Sequence, residues 1–183
     1  MAAITLSNPT FYNGGASGAS AVVGVSSGLN RVARYSFTSP DIGASSVTLK
    51  FTSMWFETGV PKPASLYFYI GTDPNSHINA GAESTYTGVL NVDTNTYTSC
   101  SGSADVLLLP NTTYYLFVFP ATTTFGWYYW QTTAAMTSSG GAGLVYIDNG
   151  SGFDAYQIYI DNGTSWDLHM PYIDNGSGWD LYT

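Results

Sequence analysis

One short motif occurs three times near the C-terminus. Tyr-Ile-Asp-Asn-Gly begins at Tyr146, Tyr159 and Tyr172, so it recurs every 13 residues without a change. Recurrence at a fixed period marks a repeated structural unit. Asn-Gly between alternating apolar residues is the strongest short-range signal for a β-hairpin, because both turn positions need a positive φ. The sequence therefore predicts an array of three β-hairpin repeats over residues 144–183.

A two-residue turn at each Asn-Gly would place one aromatic side chain directly opposite another in every unit. The predicted pairs are Tyr146 with Phe153, Tyr159 with Trp166 and Tyr172 with Trp179. Strand alternation puts each pair on one face, which must be covered because an isolated hairpin is marginally stable in water. Pro171 favours a bend between the second and third units. We therefore expect the array to pack against the preceding domain or against other subunits.

The composition favours a turn-rich, all-β protein. Aromatic residues make up 16% of the 183 residues, charged residues only 9%, and there are 20 glycines. The formal net charge is −8, and the basic residues are scattered: Arg31, Arg34, Lys50 and Lys62. Nucleic acids and anionic membrane surfaces both attract clustered Lys and Arg. The sequence thus argues against both as partners.

Neither a targeting segment nor a disulfide is evident. The opening Met-Ala-Ala-Ile-Thr-Leu lacks the positively charged and apolar stretches of a secretory signal, and no apolar run is long enough to cross a membrane. We therefore expect no export signal and no membrane insertion. The single Cys100 cannot form an internal disulfide, and we interpret it as a passive loop residue rather than a nucleophile.

Short alternating stretches separated by Pro, Gly, Asn and Asp fill the middle of the chain. The predicted strands are 32–38, 46–56, 65–70, 85–92, 104–109, 113–119 and 127–133. Such strands without helical periodicity predict an antiparallel β-sandwich, jelly-roll or fibronectin-like, over residues 31–136. Residues 1–30 are interpreted as an N-terminal arm with edge strands. Residues 137–143 have the composition of a Gly/Ser linker to the repeats.

The segment Leu108-Leu109-Pro110-Asn111-Thr112-Thr113-Tyr114 resembles the Leu-x-Pro-x-Thr-x-Tyr tyrosine corner of fibronectin type III domains and related sandwiches. The resemblance implies that the Tyr114 hydroxyl bonds back to nearby backbone and holds the entry to a central strand. It supports the architecture and carries no information on function.

Two predicted strands are apolar on both faces. The side chains predicted to point inward are Leu66, Phe68, Ile70, Tyr114, Leu116 and Val118. Those predicted to point outward are Tyr67, Tyr69, Tyr115, Phe117 and Phe119. An outward apolar face needs a second cover, for which the N-terminal arm, the repeats or a neighbouring subunit are candidates. The aromatic run 125–130 fits either a thick core or a face that binds a partner or ligand.

No catalytic constellation is evident in the sequence. His77 and His169 are the only histidines, and no nucleophile elbow, zinc-protease, Cys-x-x-Cys or phosphate-binding motif occurs. We predict that the protein is not an enzyme and needs no cofactor. The six-residue spacing of Asp148 and Asp154, repeated in the later units, suggests oxygen ligands for calcium. The predicted hairpin register puts the two carboxylates on opposite faces, so no metal site is predicted.

The repeats resemble the arrays of Tyr-Ile-Asp-Asn-Gly-x-x-Trp-x-x-Tyr units that end many tail, baseplate and fibre proteins of phages and prophages of Gram-positive bacteria. The similarity covers residues 146–183 closely and the preceding domain loosely. It implies a structural or adhesive virion protein without catalytic residues, assembled in the host cytoplasm and exposed outside the cell. The implied partners are other virion subunits, further copies of the chain and a host cell-surface glycan.

The leading hypothesis is a non-enzymatic virion protein whose aromatic repeats serve assembly and host-surface contact. The candidate glycan- or partner-binding residues are Tyr159, Trp166, Tyr172, Trp179, Trp127 and Tyr129. An aromatic ring can stack on the apolar face of a sugar, although packing of these rings on each other is the alternative. Two other functions fit the sequence. They are a monomeric carbohydrate-binding module and a subunit of a bacterial surface filament that exchanges strands through residues 1–30.

Overall fold

The computed structural model contains strands and turns, and no helix occurs in the ranges it describes. These are residues 2–13, 16–18, 22–26, 29–41, 43–56, 64–80, 85–121, 126–129, 133–140, 144–148, 153–161, 166–169, 172–174 and 179–181. Accordingly, none of these ranges supplies an apolar helix of membrane-spanning length. The prediction of an all-β protein is confirmed.

The strands are β1 (Ala2–Ile4), β2 (Thr10–Asn13), β3 (Ala16–Gly18), β4 (Val22–Ser26), β5 (Leu29–Thr38), β6 (Ala44–Thr52), β7 (Trp55–Phe56), β8 (Ser65–Gly71), β9 (Gly88–Val92), β10 (Ser99–Leu108), β11 (Thr113–Pro120), β12 (Gly126–Tyr129), β13 (Thr133–Ser139), β14 (Leu144–Asp148), β15 (Phe153–Asp161), β16 (Trp166–His169), β17 (Tyr172–Asp174) and β18 (Trp179–Leu181). Thirteen of them form one sheet in the order β1-β13-β6-β10-β9-β8-β11-β5-β4-β12-β7, with β2 beside β5 and β3 beside β2. Every neighbouring pair in the described sheets is antiparallel.

The large sheet curls so that its inner face closes on one core. Strands β5 and β6 are far apart in the strand order, with β10, β9, β8 and β11 between them. Nevertheless, the ring centroids of Tyr35 in β5 and Phe51 in β6 are 5.8 Å apart. The two strands therefore face each other across the core, where both side chains are buried.

Several strand boundaries differ from the sequence prediction. The predicted strand 46–56 is divided into β6 and β7 at Ser53, which has a φ of 64°. Strand β13 continues to Ser139, opposite Ser46, so residues 137–139 belong to the sheet and not to a linker. Strands β1 to β4 also belong to the main sheet, so the predicted arm is largely built into it. A run of small polar residues signals a linker by composition, but it pairs equally well when a neighbouring strand is in register.

The alternation predicted for β8 and β11 is confirmed on the inner face. The inward side chains belong to one buried cluster: Leu66, Phe68, Ile70, Tyr114, Leu116 and Val118. Strands β6, β9 and β10 add further members, including Leu49, Leu90 and Leu108. Each fully buried side chain of this size contributes about 1.5–3 kcal/mol relative to exposure. The core therefore lies inside the curl.

A second apolar cluster covers the outer face of the same strands. Phe117 and Phe119 are completely buried there, with Val32 and Ala80, and Tyr67, Tyr69, Tyr115 and Ile78 pack on them. Ile78 and Ala80 belong to the segment 72–80, which follows β8 and folds back over the sheet. The cover was expected from the arm, the repeats or another subunit. In the described part of the chain it comes chiefly from this local segment.

The predicted tyrosine corner is present. The backbone N–H of Leu109 donates to the hydroxyl of Tyr114, with a distance of 2.9 Å between the two heavy atoms. Asn111 adopts the left-handed conformation, φ 49°, that the tight corner requires. Ser39, which directly follows β5, stabilises the corner through hydrogen bonds. Its buried hydroxyl accepts from the N–H of Thr112 and donates to the carbonyl of Leu109.

Tyr114→Phe tests the corner. The substitution keeps the ring but leaves the N–H of Leu109 without its acceptor, so we expect a loss of about 1–2 kcal/mol in the free energy of unfolding. Urea denaturation followed by fluorescence measures it. Tyr86→Phe is the control, because the Tyr86 hydroxyl makes no hydrogen bond with any other described residue. Equal free energies of unfolding for the two variants would show that the Tyr114 hydrogen bond does not stabilise the protein.

The repeats form sheets of their own, with a register that differs from the prediction. Strands β14, β15 and β16 make a three-stranded sheet, and β17 and β18 a two-stranded one. The pairs that close the three connections are Asp148 with Phe153, Asp161 with Trp166 and Asp174 with Trp179. Tyr159 is therefore opposite Leu168, and Tyr172 opposite Leu181. The predicted direct aromatic pairs are wrong by two residues.

The register follows from the length of the connections. Four residues separate each closing pair, such as Asn-Gly-Ser-Gly at 149–152, whereas the prediction assigned only Asn-Gly to the turn. Hairpin loops of four residues are common alternatives to two-residue turns. The turn residues lie outside the described part of the chain. A shift of two residues preserves the alternation of faces but changes every cross-strand partner.

Candidate binding surface

The structure distributes the six predicted binding residues over three sheets. Tyr159 in β15 and Trp166 in β16 belong to the three-stranded sheet. Tyr172 and Trp179 belong to the two-stranded sheet. Trp127 and Tyr129 lie in β12, near one end of the large sheet. The six residues therefore do not share a sheet.

Strand β12 lies in an aromatic-rich part of the large sheet. It is paired on one side with β4 and on the other with the two-residue strand β7. The register places Tyr129 between Val22 and Trp55, and Tyr128 between Val23 and Phe56. Residues that pair across strands share a face. The ladder thus brings Tyr128 and Tyr129 of β12 opposite Phe56 and Trp55 of β7.

The described side chains reveal a different aromatic site, which we call the outer-face cluster. It consists of Tyr67, Tyr69, His77, Tyr86, Phe117 and Phe119. Tyr67 and Tyr86 stack with ring centroids 4.0 Å apart and planes 13° apart. Tyr69 and His77 stack at 3.8 Å and 18°. Tyr67 and Tyr69 are two residues apart on β8, so they share its outer face. The two stacks therefore lie side by side on one strand.

Hydrogen bonds hold the His77 ring of the second stack in place. Nε2 of His77 lies 2.7 Å from the carbonyl oxygen of Thr85, and Nδ1 lies 2.9 Å from the hydroxyl of Ser76. Because a carbonyl oxygen only accepts, Nε2 is the donor in the bond to Thr85. The His77 bond to Thr85 also ties the segment 72–80 to the residue preceding Tyr86. The two stacks are therefore mechanically connected.

Arg34 anchors the covering segment from the neighbouring strand β5. Its Nη1 donates to the carbonyl oxygen of Pro74 at 2.7 Å. The guanidinium carbon lies 5.2 Å from the ring centroid of Tyr12 and 5.5 Å from that of Tyr115. A guanidinium held between two rings gains cation–π stabilisation. Arg34 is thus a structural clamp, whose charge is satisfied by backbone and aromatic groups.

The cluster has one strongly exposed member. Tyr86 is 47% exposed, whereas Phe117 and Phe119 beneath the neighbouring rings are completely buried. Leu109, in the tyrosine corner, is the other large apolar residue that is strongly exposed among the described side chains, at 42%. The Tyr86 ring therefore presents an aromatic surface that is supported from below. Such a surface can stack on an apolar ligand face.

Cys100 has the environment of a core residue and lies in a strand. It was interpreted as a loop residue, but it lies in β10, opposite Phe51 and Val92, and is buried. Burial raises the pKa of its thiol to about 12. The thiol therefore stays neutral near pH 7, whereas a nucleophile must be a thiolate.

The Asp93 carboxylate stabilises a turn. Thr96 and Asn95 donate hydrogen bonds to the Asp93 carboxylate and lower its pKa. These bonds shape the connection between β9 and β10. Among the described side chains, no group of three or more His, Cys, Asp or Glu residues is placed to hold a metal ion. The repeat carboxylates predicted to face apart lie outside the described side chains.

The outer-face cluster could be predicted only in part. Alternation correctly identified Tyr67, Tyr69, Phe117 and Phe119 as outward residues. It gave no signal for His77 and Tyr86, because both come from connections whose path is set by the fold and not by a period.

Comparisons with protein-family models, with curated proteins and with solved structures find no match to this chain.

Proposed function

We propose that the protein is a non-enzymatic structural or accessory component of a phage virion, such as a tail, fibre or capsid-decorating protein. In this proposal the curled sheet is a β-sandwich body, and the C-terminal aromatic hairpin repeats drive assembly with further copies of the chain and with other virion subunits. Attachment to a host-surface glycan is a second use of aromatic surface. The protein is exposed outside the cell on the finished particle.

The observation that carries the proposal is the small size of the repeat sheets. One has three strands and the other only two, β17 and β18. A two-stranded unit is at best marginally stable in water, and three strands need a covered apolar face. Association with identical units on other copies provides such a cover. The exact recurrence of the motif favours this, because identical surfaces pair readily in symmetric oligomers.

Two features of the sequence support the virion assignment. The repeats resemble those that end phage tail and fibre proteins, and the chain has few charged residues and many aromatic ones. The formal charge of −8 is unsuited to binding nucleic acid. Assembly through surfaces is therefore favoured over any role in handling the genome.

The experiment compares the full-length chain with a Trp166→Ala and Trp179→Ala double variant by mass photometry. We expect a smaller oligomer and a lower melting temperature, because the closing pairs of the second and third repeat connections lose their indoles. Asp167→Ala and Asp180→Ala together provide the control, since these positions are next to the tryptophans in the same strands.

The control should keep the oligomer mass of the wild type. If the tryptophan variant also keeps it, the repeats do not drive assembly. Binding to host cell walls, measured on the same samples, distinguishes attachment from assembly. If the tryptophan variant assembles normally but no longer binds, the tryptophans serve attachment.

A free-standing carbohydrate-binding module is the second candidate function. It is favoured by the exposed Tyr86 ring, which is held flat on Tyr67. It requires a monomer that binds a glycan, so a monomeric wild type with measurable glycan affinity would replace the virion proposal.

A further inference from the structure

We infer that the stacked pair Tyr86 and Tyr67 is a binding site for a neutral carbohydrate, placed on the body of the protein and separate from the repeats. This inference rests on the attachment part of the proposed function and deepens it, because it locates that activity at residues outside the six predicted binding residues.

The geometry of the stack is suited to a sugar ring. The planes of the Tyr86 and Tyr67 rings are 13° apart at 4.0 Å, so one face of Tyr86 is occupied by Tyr67. Tyr86 is also 47% exposed, so it combines a supported ring with an exposed surface. Tyr67 is itself supported, because the ring of Phe119 lies 6.1 Å away edge-on. The platform is therefore rigid before a ligand arrives, which reduces the entropy lost on binding.

Polar residues adjoin Tyr86 in the chain. They are Thr85, which is exposed, and Thr87. The hydroxyl of Thr87 accepts from the N–H of Ile70 at 2.9 Å and has its own proton to donate. An exposed aromatic ring with a threonine on either side of it in the chain offers an apolar surface and hydroxyl groups, which suit the C–H faces and hydroxyl edges of a pyranose.

The described charges favour a neutral ligand. Arg34, the basic side chain described in contact with the outer-face residue Tyr115, is engaged with Pro74 and two tyrosine rings. It is therefore not available to pair with a sulfate, phosphate or carboxylate. The net charge of −8 further disfavours anionic sugars.

The test is an array of oligosaccharides probed with the full-length protein. The neutral glycans on the array are glucans, mannans, galactans and N-acetylglucosamine oligomers. The anionic glycans are sialylated and sulfated. We expect binding to at least one neutral class, and at least about a tenfold loss of affinity in Tyr86→Ala. Tyr86→Leu should lose binding similarly while retaining apolar packing on Tyr67, which protects the test from a folding defect.

A matched control locates the site. Leu109→Ala, at the other strongly exposed apolar residue, should retain binding. No binding to any neutral glycan, undiminished binding by both Tyr86 variants, or a preference for the anionic glycans would overturn the inference. If only the Trp166→Ala and Trp179→Ala double variant loses binding, the glycan site lies in the repeats and the inference is overturned. Because Tyr86→Leu should keep the wild-type oligomer mass, these outcomes are distinct from failure of the assembly proposal.

Discussion

Phe117→Ala is expected to lower the free energy of unfolding by about 3–5 kcal/mol, the usual cost of removing a buried phenylalanine side chain. Phe117 points to the outer face of the sheet, yet it is completely buried beneath the segment 72–80. The ring of His77 lies 5.7 Å from it and that of Tyr69 6.3 Å. Truncation therefore leaves a cavity in a second core. Chemical denaturation monitored by circular dichroism measures the change.

Leu116→Ala is the matched comparison for this prediction. Leu116 precedes Phe117 in β11 and is equally buried, but it belongs to the inner cluster. We expect a loss of about 2–5 kcal/mol there. If the outer face were an ordinary surface, only the Leu116 variant would be destabilised. A loss below about 0.5 kcal/mol for Phe117→Ala, typical of surface substitutions, would contradict the two-core description.

Gly102→Ala is expected to lower the free energy of unfolding by about 3 kcal/mol, because overpacking that moves backbone costs this much. Gly102 lies in β10, opposite Leu49 of β6. A Cβ atom there would overlap the carbonyl oxygen of Val89 and lie 3.0 Å from its carbonyl carbon. Backbone cannot move aside as a flexible side chain can. Strands β9 and β10 must therefore separate locally.

Ser101→Ala is the control for Gly102→Ala. Ser101 is the preceding residue of β10 and is exposed, so its substitution should change stability by less than about 0.5 kcal/mol. Thermal unfolding of both variants, followed at equal protein concentration, makes the comparison. A Gly102 variant with the melting temperature of the control would show that β9 and β10 do not approach as closely as the structure places them.

The faces of β8 and β11 were predictable because the period of a strand is two residues. Leu66 and Phe68 on one side, and Tyr67 and Tyr69 on the other, follow from alternation alone. The identity of the outer cover was not predictable. It depends on where the segment after β8 returns, and no period in the sequence encodes that path.

The repeats illustrate a different limit. The motif predicted paired strands, and β14 to β18 are paired, but the partners of Tyr159 and Tyr172 are leucines and not tryptophans. Register depends on the length of the connection, and two-residue and four-residue connections give the same alternation. Which residues share a face is thus better determined by sequence than which residues stand opposite each other.

The candidate site follows the same rule. Tyr67 could be assigned to the outer face, whereas its stacking partner Tyr86 could not, because Tyr86 lies in the connection before β9. Similarly, Ser39 joins the tyrosine corner across a long sequence separation, and its role is visible only in the fold. Local motifs predicted local geometry, and contacts between distant segments required the structure.

Sedimentation velocity of the unmodified full-length chain tests the central claim, which is that the repeats associate between copies. The monomer mass is 19.6 kDa. We expect a discrete species at a multiple of this mass at micromolar concentration, and smaller species for the Trp166→Ala and Trp179→Ala double variant. A single 19.6 kDa species across the concentration range would contradict it.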